Sequence, residues 1–270
     1  MTAHGERAQR TDVKLGILIV ICGIFGLAIG SFLNVVIYRV PKKMSIVSPR
    51  SACPSCGTPI AERDNIPVVS WLLLRGRCRH CQAPISARYP LVELACAALF
   101  AGLAARFGYD WALPAYLVLF AGLLALAIID LETLTLPKVI VWPLTLAVTA
   151  LFVLAAAITG EWHFLLVGVI SGAAWFVLFY LMNLASPRML GFGDVRLSAV
   201  LGLALGWLGW RYVVLGFFAA NLIGAVIGIA LIASKRIERQ QQIPYGVFLA
   251  LGTAVAVFAG SGLLRPFTPH

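Results

Sequence analysis

The stretch LVLFAGLLALAIID, residues 117–130, decides the fold class, because it is a long apolar run that ends on a single acid. The same bias extends over the whole chain of 270 residues, of which 61% are hydrophobic and 12% are charged. The mean hydropathy is +0.93, whereas soluble domains hold only about 45–50% apolar residues. The sequence therefore predicts a polytopic membrane protein.

Apolar runs of the length that crosses a bilayer, about 17–25 residues, recur along the chain. They begin near Leu15, Leu91, Leu113, Val139, Phe164, Val195, Val213 and Tyr245. These runs predict about eight transmembrane helices, of which the one beginning near Val195 is the shortest. We therefore expect an all-α membrane protein.

One polar stretch interrupts this pattern, and it covers residues 39–89. We divide the chain into an external tail with the first transmembrane helix (1–38), a loop domain (39–89) and a membrane domain of about seven helices (90–270). The first apolar run is too long for a signal peptide and has no small-residue cleavage site, so we expect it to be retained.

The basic residues predict the orientation in the membrane, since Lys and Arg near helix ends favour the cytoplasm. With eight spans and an external N-terminus, 15 of the 21 basic residues fall on the cytoplasmic side and six outside. Both termini are then external and the 39–89 loop is cytoplasmic. The net charge of +10 suits a basic face against anionic lipid headgroups. The sequence has no basic region interleaved with aromatic residues, so we expect no nucleic-acid partner.

Two acids stand at the ends of apolar runs. Asp130 ends the run quoted above, and Asp194 lies in GFGDVRL, residues 191–197, before the next run that starts on the cytoplasmic side. An ionisable group near hydrocarbon costs several kcal/mol unless it faces protein or water, so both acids are functional candidates. Asp194 alone could be a helix cap, but the helix dipole disfavours an acid at the position of Asp130.

Two aspartates that lie close together share a proton, so that one acts as a base toward water and the other as an acid toward a carbonyl. This is the chemistry of aspartic peptidases. Gly191 and Gly193 would let the backbone approach an extended substrate closely. Glu132 is the rival to Asp130, but residues two apart do not share a helix face, so we expect Glu132 to face water.

Four cysteines occur in the polar loop, in CPSC at 53–56 and CRHC at 78–81. This spacing is close to that of a zinc ribbon, and ligation by Cys53, Cys56, Cys78 and Cys81 would close a structural Zn²⁺ site. Two disulfides are the alternative, and they require an oxidising compartment. Because the loop is predicted to be cytoplasmic, zinc is favoured.

Several stretches follow one another in an order that resembles a known family. They are GSFLNVVIYRVP (30–41), NIPVVSWLLLRGRC (65–78), ISARYPLVE (85–93), IID (128–130) followed by LP, GFGDVRL (191–197) and IPYGVFLALG (243–252). In this order they are similar to the prepilin leader peptidases of type IV pilus, competence and type II secretion systems.

The resemblance implies that Asp130 and Asp194 are the catalytic pair and that the four cysteines are the family's tetrad. It also implies cleavage of prepilin or pseudopilin leaders at the cytoplasmic face of the bacterial inner membrane. Many members of the family transfer a methyl group from S-adenosylmethionine to the new N-terminus, and this activity is implied by the resemblance alone. The chain departs from the family pattern at Lys138, where Asp is usual, at Arg196, where Lys is common, and at Val247, where Pro is common.

Two other readings of the acid pair are open. The chain could be similar to the presenilin and signal-peptide-peptidase group, which shares the GxGD pattern but lacks the cysteine module and the NVVIYR segment. It could also be a transporter in which Asp130 and Asp194 carry protons or cations; inverted repeats would support this, and none is visible. The sequence leaves the particular prepilins and the oligomeric state open.

Overall fold

The computed structural model describes residues 3–186, 190–234 and 243–265, with side chains from residue 13 onward. The helices are α1 (Ala3–Arg39), α2 (Val69–Leu73), α3 (Arg88–Phe107), α4 (Leu113–Thr133), α5 (Lys138–Thr159), α6 (Trp162–Ala185), α7 (Phe192–Leu208), α8 (Trp210–Ala233) and α9 (Tyr245–Leu263), with a short 3-10 turn at Glu62–Asp64. Within these residues the only β-structure is two isolated bridges in the polar loop. The predicted all-α class is confirmed.

In the part of the chain that the structure describes, seven helices are long and apolar enough to cross a membrane: α1 from Val13, and α3, α4, α5, α6, α8 and α9. The remaining long helix, α7, corresponds to the predicted run near Val195 and has 17 residues. It is therefore about 25 Å long, against a hydrocarbon core of about 30 Å. Twelve of its residues are buried. Its apolar composition is therefore explained by contact with other helices and does not by itself indicate contact with lipid.

The chain separates into two compact units, Met1–Leu113 and Pro114–His270. The first unit holds α1 to α3 together with the polar loop, and the second holds most of α4 and all of α5 to α9. The finer division at residues 38 and 89 stays a prediction.

In the first unit, α1 and α3 pack against each other through small residues. Gly26 and Gly30 form a GxxxG pattern, and a Cβ at Gly26 would lie 2.7 Å from the Cα of Ala97. A Cβ at Gly30 would likewise lie 2.7 Å from the Cα of Glu93. Only glycine allows this approach, which is the usual way in which membrane helices associate without a hydrophobic driving force.

In the second unit, α7 is the central helix. A Cβ at Gly202 would lie 2.8 Å from the Cα of Gly172 on α6, so these two helices also touch through their backbones. The Tyr116 hydroxyl at the start of α4 donates a 2.7 Å hydrogen bond to the Ala204 carbonyl near the end of α7. The end of α4 and the start of α7 therefore lie at the same end of the unit.

The opposite end of α7 passes directly into α8. Gly209 alone connects them, with φ 117°, a conformation that favours glycine. Trp210 begins α8 and is exposed, and the Arg211 guanidinium lies 5.6 Å from its ring centroid. An exposed Trp followed by Arg at a helix end is typical of a membrane–water interface.

Candidate active site

The structure brings the two predicted acids together in the second unit. Asp130 lies in the last turn of α4 and is 5% exposed, and Asp194 lies in the first turn of α7 and is 8% exposed. They are close enough to interact electrostatically. The Oδ2 atom of Asp130 and the Oδ1 atom of Asp194 have no hydrogen-bond partner among the described residues. Such buried, unpaired oxygens are unusual and call for an explanation.

The first turn of α9 faces Asp130. Its carboxyl lies beside the backbone amides of Gly246 and Val247, and these amides have no partner within their own helix. The positive end of the α9 dipole offsets the unfavourable position of an acid at the end of α4. A Cβ at Gly246 would lie 2.9 Å from Asp130 Oδ2. Glycine at this position therefore leaves room for the carboxyl.

The helix-cap interpretation of Asp194 accounts for only part of its geometry. The N-cap of α7 is Gly191, and Asp194 is the third helical residue. Its carboxyl turns back toward the Gly191 amide, as the acid of a capping box does. This contact engages one side of the carboxyl, whereas Oδ1 has no partner in the described part of the chain.

The two glycines of the GFGD stretch have different neighbours. A Cβ at Gly191 would lie 3.2 Å from Asp194 Oδ2, whereas one at Gly193 would lie 2.8 Å from the Cβ of Leu136. The space over Gly193 is therefore filled by Leu136, in the connection between α4 and α5. The close approach of a substrate to these glycines stays a prediction.

Some residues that lie next to the two acids were not predicted from the sequence. Leu136 contacts both Gly193 and Gly246 and so fills the space between the first turns of α7 and α9. The Tyr245 hydroxyl donates to Asn221 Oδ1 at 3.2 Å, and Tyr245 also interacts electrostatically with Asp194. The one sequence feature that could have identified Tyr245 and Gly246 is the IPYG stretch at the start of the last apolar run, which is among the stretches similar to the family.

The charged residues that flank Asp130 are exposed. Glu132 faces away from the buried core, as the helix geometry predicts, and Lys138 is the exposed first residue of α5. The departure from the family pattern at Lys138 therefore adds its charge at the surface of the unit.

The four loop cysteines form a cluster in the first unit. All four Sγ atoms lie within 4.8 Å of one another, and those of Cys53 and Cys81 are 3.8 Å apart. A tetrahedral zinc site with Zn–S bonds of about 2.3 Å has S–S separations of about 3.8 Å. The cysteines are free thiols. The donor set and its spacing therefore fit a zinc ion.

Two similar turns present these cysteines. The Cys53 amide donates to the Thr58 carbonyl, and the Cys78 amide donates to the Ala83 carbonyl. The hydrogen bond with Thr58 lowers the pKa of Cys56 to about 6, and the backbone amides of Cys81 and His80 lower the pKa of Cys78. Both effects favour the thiolate, which is the form that binds metal, whereas burial and the neighbouring cysteines raise the pKa of Cys81 to about 11.

Two buried carboxyls at one end of a helical membrane unit define a candidate acid-pair site of the aspartic peptidase class. Residues 24–107 match the sequence model of the bacterial peptidase A24 N-terminal domain, and residues 117–229 match that of the type IV leader peptidase family. The first match lies within the first unit and the second match lies within the second.

Curated relatives agree with these matches. The chain is 35% identical to the prepilin leader peptidase/N-methyltransferase of Burkholderia pseudomallei (strain 1026b), over 96% of this chain and 91% of the relative. It is 36% identical to that of Aeromonas hydrophila, over 90% and 91%, and 42% identical to that of Myxococcus xanthus (strain DK1622), over 83% and 67%. No solved structure matches. The chain belongs to the type IV leader peptidase family, a family of aspartic peptidases.

Proposed function

We propose that the protein cleaves the leader peptide of type IV prepilins or pseudopilins, with Asp130 and Asp194 as its catalytic pair. The observation that carries this proposal is the pair of buried, neighbouring carboxyls, each with an oxygen that lacks a hydrogen-bond partner among the described residues. Unpaired carboxyl oxygens are the atoms that can accept a proton from water and donate one to a peptide carbonyl.

In this mechanism the pair holds one proton between the two acids. The ionised carboxyl takes a proton from water, and the water oxygen forms a bond to the scissile carbonyl carbon. The protonated carboxyl gives its proton to the carbonyl oxygen. When the tetrahedral intermediate collapses, the C–N bond breaks and the carboxyl that took a proton from water gives it to the leaving amine. The other carboxyl takes back the proton of the hydroxyl that becomes the carbonyl, so the pair again holds one proton. Because the two acids act as one unit, their titration belongs to the pair.

We place the reaction at the cytoplasmic face of the bacterial inner membrane, with both termini external. The distribution of basic residues supports this orientation, although four of the predicted cytoplasmic cations, Arg188, Lys235, Arg236 and Arg239, lie outside the described residues. We expect alkaline phosphatase fused after His270 to be active in cells and green fluorescent protein at the same site to be dark. The reverse pattern would overturn the orientation.

We also propose that the protein methylates the new N-terminus. The relatives named above, which are called N-methyltransferases as well as peptidases, support this activity. S-Adenosylmethionine would supply the methyl group: the S–CH₃ bond would break to leave S-adenosylhomocysteine, and the amine nitrogen would gain the methyl group with loss of a proton. No residue of the chain is assigned to this step.

One assay tests both activities. The protein is coexpressed with a prepilin in membranes, S-adenosylmethionine is added, and the substrate N-terminus is determined by mass spectrometry. A trimmed and methylated product is expected. A trimmed product without methylation would leave a peptidase alone. Intact precursor would contradict the peptidase proposal, and ion flux that depends on both acids would then favour a transporter.

We propose that Cys53, Cys56, Cys78 and Cys81 bind a zinc ion. Four thiolates fill a tetrahedral shell, so the ion would have no position for a substrate or water and would act structurally. It would join the two cysteine turns of a loop that has little apolar core of its own.

Gly246→Ala should reduce cleavage by about 10–100-fold without unfolding the protein, because a misplacement of about 1 Å at a catalytic group has an effect of this order. The new Cβ would lie 2.9 Å from Asp130 Oδ2 and 3.1 Å from both Leu136 methyl groups. Gly262→Ala on the same helix is the matched control, since its Cβ would meet nothing within 4 Å in the described structure. Equal activity of the two variants would contradict the role of Gly246.

A further inference from the structure

Residues 66–73, which we call the α2 segment, present a row of apolar side chains to the outside. Ile66 and Val69 are exposed, Leu72 is 60% exposed and Leu73 is 78% exposed. Ser70 lies on the other side, where it is buried and its hydroxyl donates to the Arg63 carbonyl. The segment is therefore amphipathic, with its polar contacts directed into the loop and its apolar side chains directed away from it.

A buried carboxylate fixes the position of this segment along α3. The Val68 amide donates a 2.7 Å hydrogen bond to Glu93 Oε2. Glu93 lies five residues after Arg88, the first residue of α3, and therefore about 7.5 Å along the helix axis. Because α3 is long and apolar enough to cross a membrane, the segment lies level with the outer part of a transmembrane helix.

The backbone conformation of Val68 indicates that the contacts around it hold the α2 segment in place. Its φ is 61° and its ψ is −50°, a conformation that is costly for a β-branched residue. Such strained conformations persist only where the surroundings impose them. The hydrogen bond to Glu93 is one such constraint.

Positive charge follows the segment directly. Arg75 and Arg77 are both exposed, whereas nearby Arg79 is engaged by Asp64 through an ion pair of 2.6 Å. Basic side chains near an anionic membrane surface strengthen binding to it. The segment therefore combines exposed apolar side chains with basic neighbours, which is the composition of interfacial membrane anchors.

We propose that the α2 segment is a membrane-interface anchor, with Leu72 and Leu73 at the boundary between headgroups and acyl chains and with Arg75 and Arg77 on anionic headgroups. Amphipathic segments of this kind insert about 5–10 Å into the interface, which matches the depth of Glu93 along α3. The inference depends on the first unit alone and does not rest on the proposed catalytic role of the aspartates.

The anchor also connects to the cysteine cluster. The Trp71 indole donates to the Ile85 carbonyl at 3.1 Å, and its ring packs against Gly76. The Gly76 carbonyl in turn accepts a hydrogen bond from the Ile85 amide. Insertion of the segment would therefore hold the second cysteine turn close to the membrane surface.

Photo-crosslinking of the full-length protein in nanodiscs tests the proposal. The nanodiscs contain phosphatidylethanolamine and phosphatidylglycerol, and a benzophenone amino acid replaces Leu73, Leu94 or Ile60. Leu94 is an exposed residue of α3, and Ile60 is an exposed apolar residue of the same loop outside the segment. We expect Leu73 to give several-fold more lipid adducts than Ile60 and a yield comparable with Leu94.

Two outcomes would overturn the anchor. A lipid yield at Leu73 no higher than at Ile60 would mean that the segment faces water. Adducts formed chiefly with a co-reconstituted prepilin would make it a protein-docking surface instead. Arg75→Gln with Arg77→Gln should lower the lipid yield at Leu73 in nanodiscs that contain phosphatidylglycerol, but not in purely zwitterionic ones. An equal effect in both would contradict the role of the arginines.

Discussion

Asp130→Asn and Asp194→Asn should each reduce prepilin cleavage by about 10⁴-fold, which is the upper range for loss of general acid–base catalysis. Asparagine has the shape of aspartate but cannot exchange a proton with water or with a carbonyl oxygen. Because the two acids share one proton, the double variant should be no less active than either single variant. Cleavage is measured by mass spectrometry of a coexpressed prepilin.

Both variants should remain folded, since asparagine keeps the shape of aspartate and each substitution leaves one buried ionisable group in place of two. Their thermal unfolding temperatures in detergent should equal or exceed that of the unaltered protein. Glu132→Gln is the matched control, because Glu132 is an exposed acid only two residues from Asp130, and it should keep nearly full activity. Substantial cleavage by either asparagine variant would disprove the catalytic pair.

Replacing all four loop cysteines with serine should remove one equivalent of zinc and unfold the loop. Structural zinc contributes an apparent binding free energy of about 10–16 kcal/mol in zinc-finger peptides, which exceeds the stability that so small a loop can gain from its core. Metal analysis measures the zinc. Hydrogen exchange should show faster exchange around the turns at residues 53–58 and 78–83.

Cys22→Ala is the control for this experiment, because Cys22 is buried in α1 and lies outside the cluster. It should retain the zinc and the slow exchange of both turns. A quadruple serine variant with unchanged exchange and full activity would disprove a structural zinc site. The second unit should keep its protection in every variant, since none of these cysteines belongs to it.

Hydropathy predicted the helices well because bilayer thickness and helix rise together fix the length of an apolar run. It could not decide the status of α7, since a helix surrounded by protein has the same apolar composition as one surrounded by lipid. Twelve buried residues in α7 come from contacts with other helices, and these contacts have no local signature in the sequence.

The acids and the cysteines could be identified from the sequence because each has a local pattern. The residues that surround the acids could not be identified in this way, because they have no local pattern. Leu136 and Gly246 are more than a hundred residues apart, and they meet beside Asp130 only through the packing of α7 and α9. Likewise, the hydrogen bond from Val68 to Glu93 could not be predicted, because the spacing of the cysteines carries no information about which residue of α3 contacts the loop.

The shortness of α7 bears on how water would enter the reaction. If Trp210 and Arg211 mark one membrane surface, Asp194 lies 14 residues before Leu208 and thus about 21 Å from that end. In a hydrocarbon core of about 30 Å, its carboxyl would then stand about 9 Å short of the other surface. Hydrolysis consumes one water molecule per leader removed, so each turnover would require water to reach the level at which α4 ends and α7 and α9 begin.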